Sequence, residues 1–361
     1  MARFSVELDR ATSIALDTEA DSLHHYGEKL CLMQLTAVGD GREDVLIDPL
    51  SSGGDLRPIL EVLSRKTLLL HGADYDLRLL GLGFGFRARE VFDTMIASQY
   101  LGESSIGLAA LLEKNFGVVL DKSMQKADWS RRPLPERMLV YAALDTHYLP
   151  DLVELLSDRL LALGRLEWHR QACARLASTR PEPRRIDSEI DWRIKGSRDL
   201  SPGEAAVLRE IWGWREKESM QADLPPFRVA SNESLILLAK SAVAVGAEEA
   251  LSRYRSPLRG ERRRTLEESL SLALALPESG WPVPAAKKSW YRPDAKCEAR
   301  AARLKTIRDA LAKELAIEPG IVAPRSALDA IAEIADPDET AIVELGGLLP
   351  WQAKLMLSAS S

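Results

Sequence analysis

The stretch that decides the fold is I-A-L-D-T-E-A, Ile14–Ala20. An apolar run carries two acids two positions apart, Asp17 and Glu19. In a β-strand side chains alternate across the sheet, so both carboxylates leave the same face. Strands are depleted in acids, and like charges side by side repel. A divalent cation would offset that repulsion. The plainer alternative is an exposed strand end with two solvated acids. Further along, Asp76 and Asp145 are candidate partners, and four carboxylates together make a site.

Around this strand the first half reads as α/β. Leu30–Ala37 and Asp44–Ile47 follow as strands at spacings that suit antiparallel hairpins. The loop between the first two strands, Asp21–Lys29, holds His24 and His25, read as a substrate-contacting or merely exposed pair. Asp55–Arg65 has helical spacing of its apolar residues, and Thr67–Leu70 is a short buried strand ended by Gly72. Asp74 and Asp76 then open a helix, with Asp74 expected to be only a cap. A further strand leads to helices over Asp93–Leu101 and Ile106–Phe116. A basic turn, Arg131-Arg132-Pro133-Leu134, precedes a helix expected to run from Pro135 to Arg159. On it Tyr141 and Asp145 are four residues apart and share a face.

Composition narrows the class. A chain of 361 residues is too long for one ordinary core. Its 46% hydrophobic and 28% charged content is that of a globular protein. No apolar run approaches the length of a membrane-spanning helix, and the first ten residues lack an apolar signal core. Three scattered cysteines without a CxxC argue against zinc and disulfides and make the cytoplasm the expected compartment. A net charge of −6 excludes a general basic coat, though not a local basic patch.

The order D-T-E (17–19), H-x-x-x-x-D (71–76) and Y-x-x-x-D (141–145) resembles the three-part signature of the ribonuclease D family. L-C-L-M-Q-L, V-F-D-T, I-G-L-A-A-L, L-D-K-S and D-W-S-R-R-P-L run in that family's order as well. The resemblance implies a ribonuclease H-like α/β exonuclease domain with a mixed sheet, hydrolysing RNA from a free 3′ end, with tRNA precursors among its substrates. It also implies Asp17, Glu19, Asp76 and Asp145 as ligands of two divalent cations, and Tyr141 as the group that orients the attacking water and helps accept its proton. An all-oxygen donor set favours magnesium or manganese. Two other readings stay open: a DNA 3′ exonuclease on the same scaffold, and a non-catalytic RNA-binding adaptor. The four mutually repelling acids and Tyr141 speak against the adaptor.

The second half reads as helical. Helices are expected over Ser201–Met220, where Ser201 and Glu204 suit a capping box, and over Ser231–Ala239, Arg262–Leu276 and Lys296–Ala316. A-x-L-x-x-x-W-x-W-R-E, D-L-P and N-E-S-L-I-L-L-A resemble the HRDC domain, and E-P-G-I-V-A-P-R-S-A-L-D-A-I repeats the scheme in divergent form. The expected division is an exonuclease domain over 1–180, a linker over 181–195, and two all-α HRDC bundles over 196–277 and 290–361 joined by a linker over 278–289. Six arginines lie between Arg253 and Arg264, and eight Lys/Arg between Lys287 and Arg308. Candidate RNA contacts are His24, His25, Arg131, Arg132, Arg259, Arg262, Arg263 and Arg264. On this division residues 1–190 alone are expected to degrade short unstructured RNA.

Overall fold

The computed structural model describes residues 8–39, 42–52, 55–183, 185–254, 259–283 and 294–359. Arg255 and residues 287–293, parts of the two basic stretches, lie outside the described residues. A single five-stranded sheet, ordered β3-β2-β1-β4-β5, carries the first half. Its strands are β1 (Ser13–Ala20), β2 (Leu30–Val38), β3 (Arg42–Ile47), β4 (Thr67–Leu70) and β5 (Glu90–Asp93). The first three pair antiparallel, as the short connections require, while β4 and β5 join parallel after helical crossovers. The sheet is therefore mixed.

Alternation along β1 divides the two faces. Ile14 and Leu16 enter one core with helices α1 (Arg57–Leu63) and α2 (Asp74–Phe84). Ala15 enters the opposite core, packed by α3 (Thr94–Tyr100), α4 (Leu108–Phe116), α6 (Leu149–Ala162) and α7 (Leu166–Ser178). Asp17 and Glu19 continue the face of Ala15. Helix α5 (Glu136–His147) crosses β2 near them, with Met138 and Ala142 against Leu32. The single helix expected from Pro135 to Arg159 is two, because Tyr148 caps α5 and Pro150 stands in the first turn of α6. Proline lacks an amide hydrogen and suits a helix start far better than an interior. The break lets α5 cover the acidic end of β1 while α6 buries Leu152, Leu156 and Leu160 in the neighbouring core.

Helices α8 (Pro202–Ala222), α9 (Asn232–Val245), α10 (Ala247–Arg253) and α11 (Gly260–Leu274) share a core built on Val207, Leu208, Ile211, Leu235 and Leu266. Ser201 starts α8 with the expected capping box: Glu204 accepts from the Ser201 amide at 2.7 Å, and Ser201 Oγ accepts from the Glu204 amide. The last module holds α12 (Ala295–Leu315), α13 (Arg325–Ala332), α14 (Glu339–Glu344) and α15 (Pro350–Ser358).

Packing groups these segments differently from their linear order. One compact unit takes Met1–Ala20, Leu30–Glu182 and Arg292–Ser361, so far as these are described; the other takes Asp21–Lys29 and Pro183–Tyr291. In the first unit Trp351 of α15 stacks on Trp168 of α7 at 4.2 Å between ring centroids and meets Tyr100 edge-on. Arg165 donates to the carbonyls of Tyr100 and Leu315 at 2.6 and 2.8 Å. Gly102, at φ 73°, allows close approach, since a Cβ there would lie 2.1 Å from the Ala316 oxygen. The last module thus completes the exonuclease core, and a fragment ending at 190 would leave Trp168 and Tyr100 without Trp351. A fragment ending at 190 therefore lacks part of this packing.

Candidate active site

Three elements deliver the acids. β1 supplies Asp17 and Glu19, the first turn of α2 supplies Asp76, and α5 supplies Tyr141 and Asp145. Among the described residues, Asp17, Glu19 and Asp145 bring carboxylate oxygens within 4.8 Å of one another. Asp76 stands outside this trio and is 4% exposed. Thr18 Oγ1, on the opposite face of β1, donates to its Oδ1 at 2.5 Å. No Lys, Arg or His lies within ion-pair distance of the four acids among the described residues.

The electrostatics follow from this crowding. Burial first, then the charges of Asp76, Asp145 and Glu19, hold the Asp17 carboxyl well above the usual carboxylate range. Burial followed by Asp145 and Asp76 pushes Glu19 up to about 9. Burial raises Asp76 and Asp145 to about 7 each, against the hydrogen bonds from Thr18 and Tyr141. The Tyr141 phenol is raised by burial and then by the charges of Asp145, Glu19 and Asp17, so it keeps its proton. Without a cation the cluster retains protons at neutral pH. A cation among these oxygens supplies the missing positive charge, and the donor set suits a hard divalent ion.

The cavity over the cluster has a volume of about 370 Å³. His71, Lys122 and Gln125 line it together with Asp17, Glu19, Asp145 and Tyr141. His71 Nδ1 lies 2.9 Å from Thr94 Oγ1, and that hydroxyl donates to the Leu70 carbonyl. Nδ1 is therefore the donor and Nε2 the acceptor. Burial lowers the histidine's pKa, which keeps it neutral. Lys122 and Gln125 had no assigned role in the sequence; the L-D-K-S stretch was the available signal.

Other expectations meet a different geometry. Asp74 is exposed at the first position of α2, while Ala73 holds the cap position. The amides of Gly72 and Ala73 are bound by Asp93 instead, at 3.0 and 2.8 Å, and Asp93 also accepts from Met95 and Ile96. Arg132 clamps the chain onto itself. Its Nε and Nη2 bind Asp48, and its remaining donors reach the carbonyls of Cys31, Trp129 and Arg131. Arg131 is exposed and pairs with Asp128 at 3.0 Å. His25 Nδ1 lies 2.8 Å from Asp223 Oδ2, and Arg228 donates to His24 at 3.0 Å, so both histidines already have protein partners. Arg264 is tied to Glu261 and Glu268, and Arg262 to Glu218 at 3.4 Å. Arg259 and Arg263 are exposed, with no ion-pair partner among the described residues.

Comparison with known proteins matches this geometry to a family. The 3′-5′ exonuclease family matches residues 1–161, and the HRDC domain family matches 204–268 and 298–358. Ribonuclease D of Gluconacetobacter diazotrophicus is 32% identical over 338 residues, covering 92% of this chain and 84% of that protein. The chain belongs to the ribonuclease D family. As a ribonuclease D family member it is a 3′-to-5′ exoribonuclease, a hydrolase acting on RNA, with an exonuclease domain followed by helical HRDC domains. Its acidic cluster fits the family's use of divalent metal. The crystal structure of Escherichia coli RNase D, an exoribonuclease involved in structured RNA processing, is 26% identical with a TM-score of 0.68 over 99% of this chain and 94% of that one. A protein from Bifidobacterium adolescentis shares the fold at a TM-score of 0.82 and 24% identity, covering 99% and 94% of the two chains. Among the described residues, no helix is long and apolar enough to cross a membrane.

Proposed function

We propose that this exoribonuclease trims structured RNA such as tRNA precursors from the 3′ end, releasing nucleoside 5′-monophosphates with two divalent cations, magnesium or manganese. Asp17, Glu19, Asp76 and Asp145 would hold the ions and Tyr141 would orient the attacking water. The observation that carries this reading is the convergence of Asp17, Glu19 and Asp145 within 4.8 Å, with no basic side chain to neutralise them among the described residues. When bound, such ions supply Lewis-acid stabilisation of the phosphoryl oxygens and an acidified water.

The chain's own groups supply the rest. Asp17 interacts with all three other acids, which suits it to the shared ligand position. The Tyr141 hydroxyl stays protonated and hydrogen-bonds Asp145, so orienting a water suits it better than accepting a proton. Lys122 stands at the cavity wall as a cation for substrate phosphate. Arg259 and Arg263 remain as the exposed arginines for a phosphate backbone. The part taken by Escherichia coli RNase D in structured RNA processing supports tRNA precursors as substrates. The free, buried Cys31, Cys173 and Cys297 suit the reducing cytoplasm.

The test is a 5′-labelled RNA and its DNA counterpart incubated with the protein, with and without magnesium. A ladder shortening from the 3′ end on RNA alone, and only with the cation, is expected. Equal degradation of DNA would make the substrate assignment wrong, and degradation in chelator would remove the metal reading.

A further inference from the structure

A second cavity, of about 340 Å³, opens beside α2 and shares no residue with the one over the acids. It is formed by α2, the turn that follows α2, and the segment that follows α7. Leu77, Ala88, Leu176 and Ala177 of its wall pack against the core that holds Ile14 and Leu16. That core lies on the other side of the sheet from Asp17 and Glu19. Gly81 lets the segment after α7 close over α2, since a Cβ there would lie 2.8 Å from Cγ of Pro181.

Three kinds of side chain line this cavity. Leu77, Phe86 and Pro181 give it an apolar floor, and Arg78, Arg87 and Arg180 bring guanidinium groups to it. Arg78 lies over the Tyr75 ring, 5.0 Å from its centroid. Arg180 donates to the carbonyls of Ala177 and Thr179, both at 3.1 Å, which direct the side chain without cancelling its charge. Arg87 is exposed, with no ion-pair partner among the described residues. Asp74, exposed at the first position of α2, is the only acid among the described residues of the lining.

We infer that this cavity binds a free nucleoside 5′-monophosphate, with its phosphate on Arg87 and Arg180, its base on the apolar floor and its ribose hydroxyls on Asp74. The planar fork of arginine matches phosphate oxygens two at a time. A carboxylate accepts from ribose hydroxyls in other nucleotide sites. Inorganic phosphate would use the arginines alone, leave the apolar floor bare and be repelled by Asp74. The volume lies at the small end of the roughly 300–1,000 Å³ of small-molecule sites, which suits one nucleotide rather than a chain. The source of this ligand rests on the proposed release of nucleoside 5′-monophosphates, whereas its binding here depends neither on that reaction nor on the metal.

The test is calorimetric titration of the full-length protein with adenosine 5′-monophosphate in chelator, where no cation can hold the nucleotide at the acidic cluster. Saturable binding is expected, with adenosine and inorganic phosphate each binding more weakly. Arg87→Gln combined with Arg180→Gln should weaken binding at least about tenfold. The melting temperature should not move, because both side chains are exposed. Asp74→Ala should remove the preference for adenosine 5′-monophosphate over its 2′,3′-dideoxy analogue, and a preference that survives would overturn the ribose contact. No saturable binding by wild type, or unchanged affinity in the folded arginine variant, would overturn the site. Inorganic phosphate binding as tightly as the nucleotide would overturn the nucleotide assignment. Asp17→Asn should bind like wild type; loss of binding there would put the nucleotide at the catalytic cluster and overturn a second site.

Discussion

Cation binding at this cluster must release protons at a pH where ordinary carboxylates have none to give. Glu19 sits up at about 9, Asp76 and Asp145 at about 7, and Asp17 well above its usual range. At pH 8 a group at 7 is about 90% ionised and a group at 9 about 10% ionised. Loading the site at pH 8 therefore expels about one proton from Glu19. Each proton released makes apparent affinity rise about tenfold per pH unit, so log affinity should climb with a slope of at least about 1 near pH 8. Near pH 6, where Asp76 and Asp145 also carry protons, the slope should steepen to at least about 3. Calorimetric titration of magnesium in two buffers of different ionisation heat counts these protons directly. Glu19→Gln should lower the count at pH 8 by about one. Binding that releases no proton at pH 8 would refute the crowding argument, because unperturbed carboxylates are already fully ionised there. The sign for the metal-free protein is opposite. These acids bind protons more tightly folded than unfolded, so their stabilisation is present below the unfolded values near 4 and is lost as pH rises through about 7 and then about 9.

Asp17→Asn should abolish turnover, yet raise the melting temperature in chelator, most clearly above pH 7; a lower melting temperature there would contradict the repulsion. Tyr141→Phe should lower turnover by roughly 10²–10⁴-fold with magnesium affinity unchanged, checked by single-turnover assay beside calorimetry. Trp351→Ala removes a buried indole stacked on Trp168 and should cost about 3–5 kcal/mol, read by denaturant melting of the full chain; a loss under 1 kcal/mol would mean the last module is not part of the exonuclease core. Replacing Arg259 and Arg263 by Gln should flatten the salt dependence of RNA binding by about 1.4 in the log–log slope, while Arg264→Gln, already tied to Glu261 and Glu268, should change it little.

The placement of the acids was legible because strand alternation and helical spacing are local rules. Asp17 and Glu19 fall on one face by period two, and Tyr141 and Asp145 by one helical turn. The start of α8 had a similar local basis in the Ser201 capping box, whereas the HRDC reading came from the resemblance of A-x-L-x-x-x-W-x-W-R-E, D-L-P and N-E-S-L-I-L-L-A to that family. What stayed hidden was decided by partners far away in sequence. Arg132 looked like a basic turn residue until Asp48 and Cys31 took its donors. Trp351 gave no sign that it would stack on Trp168, since an aromatic at a helix start is equally at home in its own bundle. Arg87 and Arg180 lie far apart in the chain, so the cavity they share could be seen only in three dimensions. Pro150 was the one local clue passed over, and it marks the helix break.

Asp93 gathers four backbone amides, two from the start of α2 and two from the start of α3. In mechanical language it is a hinge pin through two levers. His71 and Thr94 add a second fastening between the same two segments, so rotation about the pin is blocked as well. His71 and Asp76 flank that joint, so a displacement of the first turn of α3 reaches the segment that bears both residues through the Asp93 carboxylate.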